Sequence, residues 1–209
     1  DQPDRKHHPD PESSFWNWCD KLDADVETFP KNKSMRRDIS HPSMHVNLEA
    51  CINCNLCVRA CREVQSNDVI GMGFRGHESK VIFDLDDDMG DSSCVGCGEC
   101  VQACPTGALM EKSLVSEEGS RVIYPDKIID SLCPYCGVGC QTKVSVKNNK
   151  IVQVDGKDGP ANNQKLCVKG RFGYDYIHSD KRLTKPLIRK EGVKKSKIQD
   201  YSNLKIDDY

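Results

Sequence analysis

Three things are scarce in this chain of 209 residues. Aromatic residues make up only 6% and the whole hydrophobic set 37%, against 30% charged residues. That is thin for one large oily core. It points to two or three small modules held together by something besides apolar burial. Charge of one sign is missing too: 30 Lys and Arg face 32 Asp and Glu, a formal net charge of −2. Nothing here calls for nucleic acid or an acidic membrane surface. Long hydrophobic runs are absent, so no segment reads as a membrane span. No n-region followed by an apolar h-region opens the chain. Arg36-Arg37 is a twin arginine without an apolar stretch behind it and reads as surface charge. The chain begins at Asp1 rather than Met, which leads us to expect a segment upstream. A cytoplasmic location fits these absences.

Cysteine is what the chain has in excess, 13 in all. The count is odd and no export signal accompanies it, which weighs against a disulfide framework. The spacing weighs further. CINCNLCVRAC at 51–61 and CVGCGECVQAC at 94–104 repeat one pattern at an offset of 43 positions. Cys51, Cys54, Cys57 and Cys61 map onto Cys94, Cys97, Cys100 and Cys104, and Val58 and Ala60 map onto Val101 and Ala103. This is an internal duplication. With Pro105 closing the second copy, it is the C-x2-C-x2-C-x3-C-P signature of bacterial ferredoxins, which hold [4Fe–4S] clusters. Zinc sites draw their thiols in pairs from two knuckles and fit poorly.

Three thiolates on a short loop can cap three irons of a cube, while the fourth starts a chain segment leading to the other cube. The expected ligand sets are therefore Cys51, Cys54, Cys57 with Cys104, and Cys94, Cys97, Cys100 with Cys61. Gly96 and Gly98 let the second loop turn tightly and bring N–H groups near sulfur. Between the copies, 69–75 and 80–85 read as strands joined by a turn at 76–79. The acidic run 84–91 reads as a solvated loop, and 58–65 and 99–103 as short helices.

A third set follows. CPYCGVGC supplies Cys133, Cys136 and Cys140, and a hairpin over 142–156, turning at Asn148-Asn149, returns the chain to Cys167. C-x2-C-x3-C-x26-C is a four-thiolate site for iron–sulfur or zinc on spacing alone.

CPYCGVGC with a distant CVKGR resembles the N-terminal [4Fe–4S] module of the molybdopterin oxidoreductases. ACINCNLCVRACREVQSNDVIGM, SSCVGCGECVQACPTGAL, CPYCGVGC, DGPAN and LCVKGRFGYDYIHSDKRLTKPLIR, in this order, are similar to the large (alpha) subunit of NAD-dependent formate dehydrogenase, over roughly 41–189. The resemblance implies a third [4Fe–4S] cluster on Cys133, Cys136, Cys140 and Cys167. It implies that Lys169 lies between that cluster and the pterin of a molybdenum or tungsten bis-molybdopterin guanine dinucleotide cofactor. It also implies electron flow from formate through three clusters to an FMN-containing partner that reduces NAD. An iron–sulfur subunit of a related hydrogenase or complex I-like reductase is the alternative.

The chain departs from that family twice. No cysteine follows Cys167, so the catalytic metal site falls outside this segment, in an adjoining domain or subunit. Upstream, Cys19 alone cannot hold a cluster and reads as a packed or idle thiol. His41 and His45 stand apart from the cysteines and read as structural or surface residues rather than ligands. The expected fold class is α+β: a two-cluster bacterial ferredoxin-like domain over 45–112 and a small β-rich [4Fe–4S] module over 128–189. A linker covers 113–127. The extension 1–44 is expected to wrap a partner or to be partly irregular, and a charged tail covers 190–209. Three cubes on twelve thiolates add about −6 to the formal charge, which Arg59, Arg62, Lys169 and Arg171 stand near enough in sequence to offset.

Overall fold

The structure is a computed structural model, described here for residues 5–24, 37–186, 188 and 190–191, with the side chain of His77 set aside. They fall into two compact units divided between Tyr174 and Asp175.

In the first unit a short helix, α1 (Ser14–Leu22), is followed by a strand, β1 (Met44–Val46). The first cysteine loop leads into α2 (Leu56–Arg59), which continues as a π-helical turn over Ala60–Val64. This covers the helix expected at 58–65, with Cys61 inside the widened turn. The hairpin of β2 (Ile70–Gly73) and β3 (Lys80–Phe83) pairs Ile70 with Phe83 and Gly73 with Lys80, shorter at both ends than the sequence reading. The second loop opens α3 (Glu99–Ala103), with the bounds expected from sequence. β4 (Leu109–Glu111) then pairs antiparallel with β1, Met44 opposite Glu111 and Val46 opposite Leu109, so the start and end of the duplicated region are tied together.

β5 (Lys127–Leu132), β6 (Gln141–Lys147) and β7 (Lys150–Gly156) form an antiparallel sheet in that order. Asn148 and Asn149 turn the β6–β7 hairpin at φ 48° and 60°. This is the left-handed pair that a tight turn needs and that Asn tolerates. The last element of this unit is α4 (Val168–Phe172), beginning immediately after Cys167.

One apolar cluster joins Met44, Val46, Val58, Val69, Ile70, Val81, Phe83, Met89, Val101 and Leu109, and Cys57, Cys61 and Cys100 are members of it. The thiols are thus core residues of a core too small to dispense with them. Met89 is 1% exposed, and its amide donates to Asp38 Oδ2 (2.6 Å), while Asp84 accepts from the backbone and hydroxyl of Ser93. The acidic run expected to be a solvated loop is therefore anchored at both ends.

The N-terminal residues 5–24 fold back on the chain itself. The Phe15 amide donates to the Pro105 carbonyl (3.0 Å) and that of Arg121 to the Pro9 carbonyl (2.7 Å), and Arg121 pairs with Asp10 (3.2 Å). Arg36 and most of the tail 190–209 lie outside the described residues. In the second unit a 3-10 turn, Asp175–His178, is followed by Arg182 lying over the Tyr176 ring. Among the described residues no helix is long and apolar enough to cross a membrane.

Candidate metal centres

None of the thirteen cysteines is in a disulfide, and twelve of them fall into three neighbouring sets. The first is a small recess lined by Cys51, Cys54 and Cys57 from one loop and Cys104 from the other motif, closed by Leu48, Ile52, Val81, Ala108 and Leu109. Asn53 and Asn55 turn the loop at φ 54° and 61°. The Asn53 amide donates to Cys51 Sγ (3.4 Å), and the Thr106 hydroxyl lies 3.6 Å from Cys104 Sγ. Burial pushes the Cys57 thiol up to about 12, helped by the thiols of Cys104, Cys51 and Cys54.

The second group is Cys94, Cys97, Cys100 and Cys61. Cys100 is fully enclosed. Burial, then the neighbouring thiols of Cys97, Cys94, Cys57 and Cys61, holds it well above the usual thiol range. The Gly96 amide donates to Cys94 Sγ (3.4 Å), as Asn53 does in the first copy. In the third group, burial and then the neighbouring thiols of Cys133, Cys136 and Cys167 push the Cys140 thiol up. The Cys133 amide donates to the Cys140 carbonyl (2.8 Å). A Cβ on Gly170 of α4 would stand 3.7 Å from Cys133 Sγ, so the helix that follows Cys167 closes over the CPYC loop.

In each group clustered thiols crowd a common space and raise one another's cost of ionisation. That is the donor set a multiply charged cation relieves, because bound thiolates are deprotonated. Four thiolates are the donor set that a [4Fe–4S] cube takes at its corners, and each group supplies four cysteines, so the residues present fit that cofactor in kind and number.

What holds the third group against the second is Arg171, a residue whose sequence gave no hint of burial. It is 0% exposed. Its Nε donates to the Cys97 carbonyl (3.0 Å), Nη1 to Asp155 (2.9 Å), and Nη2 to Glu99 (3.1 Å) and Gln102 (2.8 Å). Asn162, from the DGPAN segment, is a second such residue. Its amide donates to the carbonyls of Gln141, Lys157 and Lys165, and its oxygen accepts from the Gln141 amide (3.0 Å). It thereby links the residue after Cys140 to the approach to Cys167. Lys169 is exposed on α4. Arg59 and Arg62 are paired with Glu63 (3.1 Å) and Asp68 (2.6 Å). Three of the four cations expected to balance the clusters thus already face carboxylates.

A cavity of about 370 Å³ lies beside Cys104, lined among others by Asp10, Arg121, Glu111 and Asp155. Glu111 is 1% exposed, and burial, then the Asp155 charge, holds its carboxyl well above the usual range. Among the described residues neither Glu111 oxygen has a hydrogen-bond partner of acceptable geometry, and the nearby Tyr174 hydroxyl, which donates to the Val152 carbonyl (2.8 Å), works against that upward shift. His45 is buried with neither ring nitrogen partnered, and Cys19 sits half-buried on α1, outside the three groups.

Residues 50–108 match the family described as 4Fe-4S dicluster domain, and residues 126–179 match the molybdopterin oxidoreductase Fe4S4 domain. The chain carries these two iron–sulfur domains in tandem. Among its relatives, "Probable oxidoreductase YjgC" of Bacillus subtilis is 34% identical over 76% of this chain and 20% of its own length. Proteins named "Putative formate dehydrogenase" from Staphylococcus haemolyticus and Staphylococcus aureus are 33% identical over 78% of this chain and 20% of theirs. The chain thus spans about a fifth of the curated relatives it matches. A crystal structure of an NAD+-reducing [NiFe]-hydrogenase in the H2-reduced state overlaps 53% of this chain and 51% of its own at 25% identity, with a TM-score of 0.45. The tandem domains make this chain an electron-transfer iron–sulfur segment of molybdopterin oxidoreductase type, with formate-dehydrogenase-like relatives.

Proposed function

We propose that this chain is the electron-transfer segment of a cytoplasmic NAD-dependent formate dehydrogenase. In this reading Cys51, Cys54, Cys57 and Cys104 hold one [4Fe–4S] cluster, and Cys61, Cys94, Cys97 and Cys100 hold a second. Cys133, Cys136, Cys140 and Cys167 hold a third. A bound cube is a one-electron carrier whose potential follows burial and hydrogen bonds to its sulfurs. The domain divisions follow the centres: 45–112 for the first two, 128–189 for the third, with 1–44, 113–127 and 190–209 as extension, linker and tail.

The observation that carries the reading is the seat of α4 on the second cysteine loop. Arg171 ties the Cys167 helix to the Cys97 carbonyl (3.0 Å), while a Cβ on Gly98 would collide with Arg171 Cδ. That contact supports an order of centres in which the Cys133 group adjoins the Cys94 group and the Cys51 loop, residues 52–56 all exposed, lies at the outer end. The exposed Lys169, between Cys167 and Arg171, is the side chain we assign to the molybdenum or tungsten bis-molybdopterin guanine dinucleotide cofactor of the adjoining catalytic domain. The outward loop faces the FMN-containing partner that reduces NAD.

Anaerobically purified protein should carry about twelve irons per chain and show paramagnetic signals on dithionite reduction. The whole complex should contain molybdenum or tungsten and reduce NAD with formate. Zinc in place of iron sinks the reading. Nickel without molybdenum or tungsten would turn it into the hydrogenase or complex I-like alternative.

A further inference from the structure

His41 is 7% exposed and lies far from any ligand in sequence, yet its ring packs on the second cysteine loop. Its Nε2 is 3.8 Å and its Cε1 3.9 Å from where a Cβ on Gly96 would stand. Its other nitrogen is committed: Nδ1 accepts from the amides of Ser43 (3.1 Å) and Met44 (3.2 Å). A nitrogen that accepts from two amides carries no proton, so the ring proton sits on Nε2. The backbone is pinned as well, because the Lys112 ammonium donates to the carbonyls of Ile39 (2.8 Å) and His41 (3.3 Å). The result is a fixed N–H donor against the turn between Cys94 and Cys97, with no acceptor among the described residues. The same turn already aims the Gly96 amide at Cys94 Sγ (3.4 Å).

Among the described residues the first copy has no such ring at its turn: at the position equivalent to Gly96, Asn53 turns its side-chain amide to the Ser79 carbonyl (3.3 Å). Other donors reach both groups, the Thr106 hydroxyl 3.6 Å from Cys104 Sγ and the Asn67 amide 3.9 Å from Cys97 Sγ. The imidazole is what sets the second turn apart. A donor to cluster sulfur favours the reduced, more negative state and raises the reduction potential.

We infer that His41 is a tuning residue, donating its Nε2–H to a sulfur of the [4Fe–4S] group held by Cys61, Cys94, Cys97 and Cys100. This rests on reading that centre as iron–sulfur.

The test is an EPR-monitored redox titration of the full chain, prepared anaerobically, in wild-type and two variants that separate the two nitrogens. His41→Asn keeps an acceptor at the Nδ1 position and loses the Nε2 donor. It should lower the midpoint of one cluster and leave the other two in place. His41→Gln carries an amide N–H to the Nε2 position and should keep that midpoint near the wild-type value, even where loss of the Nδ1 contacts lowers thermal stability. Unchanged midpoints in His41→Asn overturn the inference while leaving the clusters standing. Absence of any reduced signal in the wild-type overturns the centre itself. Where His41→Asn does not load, pulsed EPR on wild-type protein labelled with 15N-histidine decides. A nitrogen coupling on one reduced cluster supports His41, and its absence overturns it.

Discussion

Asn55 and Gly98 stand at the same place in the two copies of the cysteine motif, both left-handed, at φ 61° and 72°. So do Asn53 and Gly96, at 54° and 67°. The second copy therefore does not need glycine for its backbone angles, since asparagine supplies the same conformation 43 residues earlier. The difference lies in what each loop faces. Residues 52–56 are exposed, whereas Gly96, Gly98 and Glu99 are buried beneath α4, where a Cβ on Gly98 would also meet Phe172 Cζ at 2.8 Å. Duplication produced two equivalent loops. One became an internal seam, and the other kept the polar side chains of an open surface. Glycine at the seam records close approach.

The sharpest way to break this comparison is to remove what both copies share. Cys57, Cys61 and Cys100 are only 8%, 6% and 5% exposed, in the only apolar cluster that spans the duplicated region among the described residues. Metal binding and folding are then one event. Iron chelation under anaerobic conditions should unfold residues 45–175 in both copies at once, with loss of circular dichroism and of protease resistance. A compact, protease-resistant apo form would show that the apolar cluster suffices alone.

Arg171 carries the next largest effect. Arg171→Met would strand Glu99 and Asp155 without their cation, at a cost of about 3–5 kcal/mol. Denaturant unfolding measures it, and the third module should lose protection in hydrogen exchange before the first loop does. Exchanging the turn residues sharpens the same contrast. Gly98→Asn should cost about 1–3 kcal/mol by overpacking against Arg171 and Phe172, and Asn55→Gly less than about 1 kcal/mol. Equal costs would mean that backbone angle alone decides, and that α4 does not press on the second loop.

Much of this was legible because cysteine spacing is a chemical pattern that survives without context. The offset of 43, the bounds of α3 and the Asn148-Asn149 turn all follow from local rules. What local rules cannot reach is contact between distant segments. Gly98 reads as a turn former in isolation, and only α4, more than sixty residues later, gives it a second role. Arg171 reads as a solvated cation because arginines usually are. Its burial depends on three acceptors, Glu99, Gln102 and Asp155, that no spacing relates to it. The described N-terminal residues 5–24 have few apolar positions, so they read as an arm for a partner. They dock on Pro105 and Arg121 through two backbone bonds, which leave no mark in sequence, and through an Asp10–Arg121 ion pair between residues 111 positions apart that no spacing relates.

The covered side should also carry a pH dependence that the open loop lacks. Glu111 faces Asp155 of β7, Arg171 of α4 and Arg121, and its carboxyl is held well above 4.5. A carboxyl raised by folding keeps its proton in the native state while the unfolded chain gives it up. Its contribution is therefore complete below pH 4.5 and is lost as pH rises toward the folded value. Glu111→Gln should flatten the fall in stability as pH rises above 4.5, as thermal melts at a series of pH values would show. An unchanged slope would assign the dependence elsewhere.

The smallest effects make the finest comparison, because Arg59 and Gln102 are equivalent positions in the two copies. Arg59 forms an exposed pair with Glu63, side chains 65% and 56% exposed. Arg59→Ala should cost no more than about 0.5 kcal/mol. Gln102 sits in the seam. Its oxygen accepts from the Gly156 amide (3.0 Å) and from Arg171 (2.8 Å), and its amide donates to the Gln164 carbonyl (3.0 Å). Gln102→Ala leaves the buried Gly156 amide and Arg171 without this acceptor, for about 1–3 kcal/mol. The ratio matters more than either value, since both substitutions delete a long polar side chain from the same helical position. If the two costs came out alike, the second loop would be no more covered than the first, and the seam would have to be sought elsewhere on the molecule.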